Sequence, residues 1–74
     1  MKERVKEVLA KAVPSIDFDS SNKLYDDGII DSLTLLTIVS TLGNEFNIEI
    51  DFEDLEASNF NSIDSITALV EKYL

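Results

Sequence analysis

The stretch DDGIIDSLTLL, residues 26–36, decides the fold, because it combines a turn, a helix start and the beginning of an apolar helix face. Gly28 is expected to supply a turn with positive φ, which glycine adopts without steric cost. Asp31 or Ser32 can act as the N-cap, since either side chain can accept a hydrogen bond from an unpaired backbone N–H. Apolar residues then recur at helical spacing, so the sequence predicts a helix from Asp31 or Ser32 to about Phe46.

The chain before this stretch is expected to hold another helix and a long loop. Residues 2–13 are amphipathic, and Pro14 ends this helix because the residue before a proline is displaced from helical geometry. The connection over residues 15–31 is long for a structureless loop in so small a chain. We therefore expect its apolar side chains to anchor it on the core: Ile16, Phe18, Leu24, Tyr25, Ile29 and Ile30.

The chain after this stretch is expected to add a short helix and a final helix. Residues 51–57 are typical of a short helix with Phe52 and Leu55 facing inward, and SNFN at 58–61 ends it. Ser62 then caps the last helix. The predicted buried stripe of that helix is Ile63, Ile66, Leu69, Val70 and Tyr73.

The resulting fold prediction is all-α. FNIEID at 46–51 alternates like a strand, but no second strand is available to pair with it, so we interpret it as an extended connector. We expect a small four-helix bundle with three main helices, one short helix and a long first loop. Residues 1–74 form a single domain, and its core must be compact because a chain of this size buries only about 60% of its unfolded surface.

The charge distribution favours basic protein partners. The net charge is −9, and Lys23 is the one base within residues 12–71. This acidic body argues against nucleic acid, because phosphate backbones require a basic surface. The same excess could serve only to keep the protein in solution. No signal peptide or membrane-spanning segment is recognisable, so the expected location is the cytoplasm.

Catalysis by the chain itself is not expected. It contains no His and no Cys, and the nearest candidate base for a nucleophilic serine is Lys23. The carboxylate pairs at 26–27 and 53–54 resemble solvated surface rather than a catalytic cleft. The segment DFDSSNKLYDDG, residues 17–28, begins like a calcium loop but has Asn22 and Gly28 where that loop requires Gly and Glu. No metal site is predicted.

Ser32 is well placed to be modified by another enzyme. A hydroxyl at a helix N-terminus lies beside unpaired backbone N–H groups and the positive end of the helix dipole. A phosphate attached there is favoured, typically by about 0.3–1 kcal/mol at an exposed site. The competing interpretation is that Asp31 and Ser32 do no more than cap the helix.

The chain resembles an acyl carrier protein, or a related aminoacyl or peptidyl carrier, in DDGIIDSLTLLTIVSTLGNEF, IEI and NFNSIDSITALVEKYL. Its Asp-Ser-Leu triplet at 31–33 matches the 4′-phosphopantetheine attachment motif of that family. The resemblance implies that Ser32 Oγ receives phosphopantetheine from coenzyme A. The thiol of that group would carry an acyl or aminoacyl group as a thioester, which explains how a chain without cysteine could do thioester chemistry.

The resemblance also implies roles for neighbouring residues and a set of partners. Asp31 would cap the helix and assist the transferase, near its Mg²⁺, and Leu33 would be an apolar partner contact, with core packing as the alternative. The partners would be a phosphopantetheinyl transferase, an acyl- or aminoacyl-loading ligase and acyl-transferring enzymes with basic docking patches, and the chain would act as a monomer. Further candidates for partner contact are Leu36, Ser40, Asp26 and Asp27.

The pathway remains open at this point. The predicted second helix lacks the row of carboxylates typical of fatty-acid carriers, since Glu45 is its one acid beyond Asp31. GIIDS and NFNSIDSI are more similar to stand-alone carriers of amino-acid or specialised-metabolite pathways, including D-alanyl carriers. Three functions are therefore considered: an acyl carrier, an aminoacyl or D-alanyl carrier charged by an adenylating ligase, and a non-catalytic acidic adaptor. Cargo could be sheltered between helices near Val39 and Ile63.

Overall fold

The computed structural model describes all 74 residues and contains four α-helices and one 3₁₀ turn. The helices are α1 (Lys2–Ala12), α2 (Ser32–Phe46), α3 (Ala57–Phe60) and α4 (Ile63–Tyr73), and the 3₁₀ turn, Phe52–Asp54, lies between α2 and α3. Helix α1 packs against α2 and α4, and α3 packs against α4. The predicted all-α bundle of three main helices and a short one is confirmed.

One apolar core joins all four helices to the first loop. Phe18, Leu24 and Ile30 of the loop are buried, while Ile29 is exposed, against expectation. The loop is therefore packed on the bundle along much of its length, as its apolar residues predicted. The buried residues from the helices are Val5, Leu9, Leu35, Ile38, Leu42, Phe60, Ile63, Ile66, Leu69 and Val70.

The ends of α1 and α2 are determined by local backbone chemistry. Helix α1 ends at Ala12, one residue earlier than predicted, and the Val13 N–H donates to the Leu9 carbonyl at 2.8 Å. Helix α2 ends at Phe46 and is capped by Asn47, which adopts left-handed geometry with φ 54°. A Cβ on Gly43 would lie 3.1 Å from the Ile48 carbonyl oxygen, so this glycine allows the chain to turn closely over the end of α2.

The predicted short helix over residues 51–57 is wrong in its position. Phe52–Asp54 forms only a 3₁₀ turn, and α3 occupies residues that were expected to end a helix. The reason is tertiary: Phe60 is fully buried and anchors α3 in the core. The Asn59 side chain also donates to the Asp54 carbonyl at 2.8 Å, which ties α3 back to the turn.

The predicted inward orientation of Phe52 is also wrong. Its side chain is 86% exposed, whereas Leu55 is half-buried and packs on the core, as expected. The turn is held against α4 by polar contacts rather than by the phenyl ring. Tyr73 accepts a hydrogen bond from the Asp51 N–H at 3.0 Å, and its hydroxyl donates to Asp54.

Candidate functional site

The N-terminus of α2 is capped by Asp31, which leaves Ser32 as the first helical residue. Asp31 has extended backbone geometry, and its Oδ1 accepts from the Thr34 N–H at 2.8 Å. This bond to the carboxylate holds the pKa of Asp31 below its ordinary value. Because Asp31 supplies the capping oxygen, the Ser32 hydroxyl is not needed for that role.

Ser32 has the exposure that covalent modification requires. It is exposed at the start of a fifteen-residue helix, beside the N–H groups of the first turn. A phosphodiester on Ser32 Oγ would therefore extend into solvent, near the positive end of α2, without displacing a core residue. The residues present thus fit a covalently attached phosphopantetheine.

Two leucines beside Ser32 face solvent. Leu33 is 77% exposed and Leu36 is 57% exposed, whereas Leu42 on the opposite face is fully buried. Core packing is therefore not the role of Leu33. Two exposed leucines close to Ser32 form an apolar surface that another protein could cover.

Between Leu36 and Glu45 the exposed side chains of α2 are polar but uncharged, and two threonine hydroxyls of this helix donate hydrogen bonds to its own backbone. The Thr37 hydroxyl donates to the Leu33 carbonyl at 3.2 Å, and the Thr41 hydroxyl donates to the Thr37 carbonyl at 2.7 Å. Ser40 is exposed. Glu45 pairs with Arg4 at 3.0 Å, so the one carboxylate within α2 is already partnered.

The acids of this region lie in the loop before α2. Asp26 and Asp27 are both exposed. The Asp27 carboxylate accepts from the Ser21 hydroxyl at 3.3 Å, and the adjacent Gly28 has φ 78°, the positive value predicted for it. The structure therefore presents two carboxylates in the segment that leads to Ser32.

Asn61, between α3 and α4, holds this loop and was not identified by sequence reasoning. Its Oδ1 accepts from the backbone N–H groups of Tyr25 and Asp26, each at 3.0 Å, and its Nδ2 donates to the Asp26 carboxylate at 3.1 Å. Its carbonyl accepts from the Leu24 N–H at 2.8 Å. An Asn next to the Ser62 cap is a turn signal, but the partner of its side chain is not visible in the sequence.

A second polar cluster fixes the 3₁₀ turn to the end of α4. The Asp54 carboxylate accepts from the Tyr73 hydroxyl and from the Lys72 ammonium, the latter at 3.0 Å. These bonds hold the pKa of Asp54 below its ordinary value and raise the pKa values of Lys72 and Tyr73 above theirs. Asp54 is therefore engaged in structure, whereas Glu53 beside it is exposed.

The one cavity lies away from the residues considered for sheltering cargo. It has a volume of about 350 Å³, lies between α1 and α2, and is lined mainly by polar side chains that include Arg4, Glu7 and Lys11. Val39 is half-buried and Ile63 is buried, and neither lines this cavity. No helix has both the length and the apolar character needed to cross a bilayer.

Comparisons with known proteins agree with this geometry. The family model described as "Phosphopantetheine attachment site" matches residues 1–70. An acyl carrier protein from Buchnera aphidicola subsp. Baizongia pistaciae (strain Bp) is 32% identical over 76 residues, which cover 100% of this chain and 95% of the relative. No solved structure gives a significant match. Both matched regions include the capped start of α2.

Proposed function

We propose that Ser32 is the residue that bears the prosthetic group of this chain, which belongs to the phosphopantetheine attachment family and functions as an acyl carrier protein. The observation that carries the proposal is the arrangement at the start of α2. Asp31 supplies the cap at 2.8 Å from Thr34 N, and Ser32 beside it is exposed. Ser62, the serine that caps α4, is half-buried and accepts from the Ser65 N–H at 3.0 Å, so its hydroxyl is engaged in structure.

The modification requires a second enzyme. In the proposed reaction Ser32 Oγ forms a phosphodiester with the phosphopantetheine phosphate of coenzyme A, and adenosine 3′,5′-bisphosphate leaves. A base on the transferase takes the hydroxyl proton, since this chain has no His and holds its nearest carboxylate, Asp31, ionised as a cap. The thiol of the attached group supplies the thioester chemistry. We propose that the chain is not itself an enzyme and that it acts in the cytoplasm.

The proposed partner surface surrounds Ser32. Leu33 and Leu36 would contribute apolar contact, and Asp26 and Asp27 would attract basic patches on the transferase and on the enzymes that load and receive the acyl group. The net charge of −9 supports this choice of partners. Delivery of thioester cargo to these enzymes is part of the proposal.

The test is intact-mass analysis after incubation with coenzyme A, Mg²⁺ and a broad-specificity phosphopantetheinyl transferase. We expect one added phosphopantetheine on the wild-type chain and none on Ser32→Ala. Ser58→Ala is the control, because Ser58 is an exposed serine of another helix, α3, and it should be modified like the wild type. If no adduct forms while a known carrier is modified, the acidic adaptor is the better description.

An aminoacyl cargo is a second candidate, favoured by the scarcity of carboxylates on the exposed face of α2. The helix lacks the row of carboxylates typical of fatty-acid carriers, because Glu45, which pairs with Arg4, is its one acid. Loading separates the candidates: the modified protein is offered to an acyl-activating ligase and to an adenylating amino-acid ligase, and the thioester is identified by mass. Selective loading with an amino acid would favour the aminoacyl carrier, and selective loading with an acyl chain the acyl carrier.

A further inference from the structure

We propose that Asn61 is a positioning residue for the modification of Ser32, because it holds the loop before α2 in the conformation that the transferase binds. This inference rests on the proposed function of Ser32. Asn61 does not touch Ser32 in the contacts described above. It would act through residues 24–30, the segment that leads directly to the start of α2.

The hydrogen bonds of Asn61 connect two distant parts of the chain. Its side chain bonds the backbone of Tyr25 and Asp26 and the carboxylate of Asp26, and its carbonyl bonds the Leu24 N–H. The Leu24 carbonyl in turn accepts from the Ile30 N–H at 2.9 Å. A continuous set of hydrogen bonds therefore runs from the junction of α3 and α4 to the residue that precedes the Asp31 cap.

The apolar core fixes the two ends of this segment and Tyr25, which packs against the core. Leu24 and Ile30 are buried, but the residues between them are half-buried or exposed. Within the segment, the Gly28 N–H donates to the Tyr25 carbonyl at 3.0 Å, which shapes the turn without attaching it to the bundle. Asn61 provides the polar attachment to another element, so its loss should free the exposed part of the segment while leaving the core intact.

This arrangement predicts a particular kinetic effect. If the loop samples several conformations and the transferase binds one of them, the apparent affinity falls with the fraction of chains in that conformation. Saturating concentrations restore the bound complex, so kcat is retained while KM rises. Global destabilisation would change neither constant as long as nearly all chains remain folded. The split between KM and kcat therefore distinguishes positioning from a purely structural role.

The test compares Asn61→Ala with Asn59→Ala. The two asparagines are near neighbours, and the Asn59 side chain also bonds to the backbone, but it donates to the Asp54 carbonyl in the 3₁₀ turn, at 2.8 Å. We expect Asn61→Ala to raise the KM of the transferase for this chain by about fivefold or more with kcat unchanged. Asn59→Ala should retain the wild-type KM, because it breaks no bond to residues 24–30.

A second variant and a second measurement show whether a change in KM comes from the loop or from misfolding of the variant. Asn61→Gln keeps the amide but displaces it from the two backbone N–H groups, so it should raise KM like Asn61→Ala while remaining folded. Amide hydrogen exchange should quicken at Tyr25 and Asp26 in both Asn61 variants and not in Asn59→Ala. These exchange rates are measured without the transferase.

The outcomes are distinguishable. A rise in KM for folded Asn61 variants, with faster exchange at Tyr25 and Asp26, supports the inference. A wild-type KM in a folded Asn61 variant, a loss of kcat alone, or the same KM change in Asn59→Ala overturns it. If the wild-type chain is not modified at all, the proposed function of Ser32 fails first, and this inference fails with it.

Discussion

The two faces of α2 give the sharpest prediction about stability and partner contact. Leu42 is fully buried and Leu33 is 77% exposed, although both are leucines on the same helix. Replacement of each by Ala removes the same atoms from opposite environments. We expect Leu42→Ala to destabilise the fold and Leu33→Ala to weaken partner binding instead.

The magnitudes follow from burial. Leu42→Ala should cost about 2–5 kcal/mol, because it removes a buried side chain and leaves a cavity. A domain of this length has a total unfolding free energy of about 4–11 kcal/mol, so much of its stability would be lost. Leu33 buries roughly a quarter of its surface, which is worth about 0.5 kcal/mol, and the better helix propensity of Ala offsets part of that loss.

Urea unfolding followed by circular dichroism measures the stability term, and transferase kinetics measure the partner term. Leu33→Ala should raise the KM of the transferase with little change in unfolding free energy, whereas Leu42→Ala, assayed well below its melting temperature, should retain KM. A loss above about 1.5 kcal/mol for Leu33→Ala would refute the assignment of its face to the surface. An unchanged KM would remove Leu33 from the partner surface.

Three further predictions concern the pH range, the 3₁₀ turn and the acidic loop. The hydrogen bond from Tyr73 lowers the pKa of Asp54. The stability that this bond gives the fold should therefore be fully present above about pH 4 and be lost as pH falls through the lowered pKa. The pKa of Tyr73 is raised, so the same bond is lost as pH rises beyond about 10. Tyr73→Phe should therefore weaken the pH dependence of the free energy of urea unfolding at both the acidic and the alkaline end of the range. Identical pH profiles for the variant and the wild type would contradict this. Phe52→Ser should leave the melting temperature nearly unchanged, and a large drop would mean that the ring is packed. Asp26→Asn with Asp27→Asn should slow transferase association more at low salt than at high salt in stopped-flow measurements, and a rate unchanged at both would exclude them from docking.

The sequence predicted those elements whose signals are local. The start of α2 follows from one capping residue and a helical apolar repeat, and Asp31 is the cap that the structure contains. Gly28 adopts the predicted positive φ because its neighbours already form a turn. Local signals predicted the wrong helix position over residues 51–60. Segments this short contain too few turns for an apolar repeat, so tertiary packing decides which residues become helical.

What the sequence determined by itself is the all-α fold, a capped helix start at Asp31 or Ser32 and the acidic character around it, because capping, periodicity and charge are properties of neighbouring residues. Only the tertiary structure decided that Leu33 is exposed, that Phe52 faces outward and that Asn61 holds the loop before Ser32. These outcomes depend on which distant segments pack together. A hydrogen bond between residues 36 positions apart, such as that from Tyr25 N to Asn61, forms only after the core has brought its partners within reach.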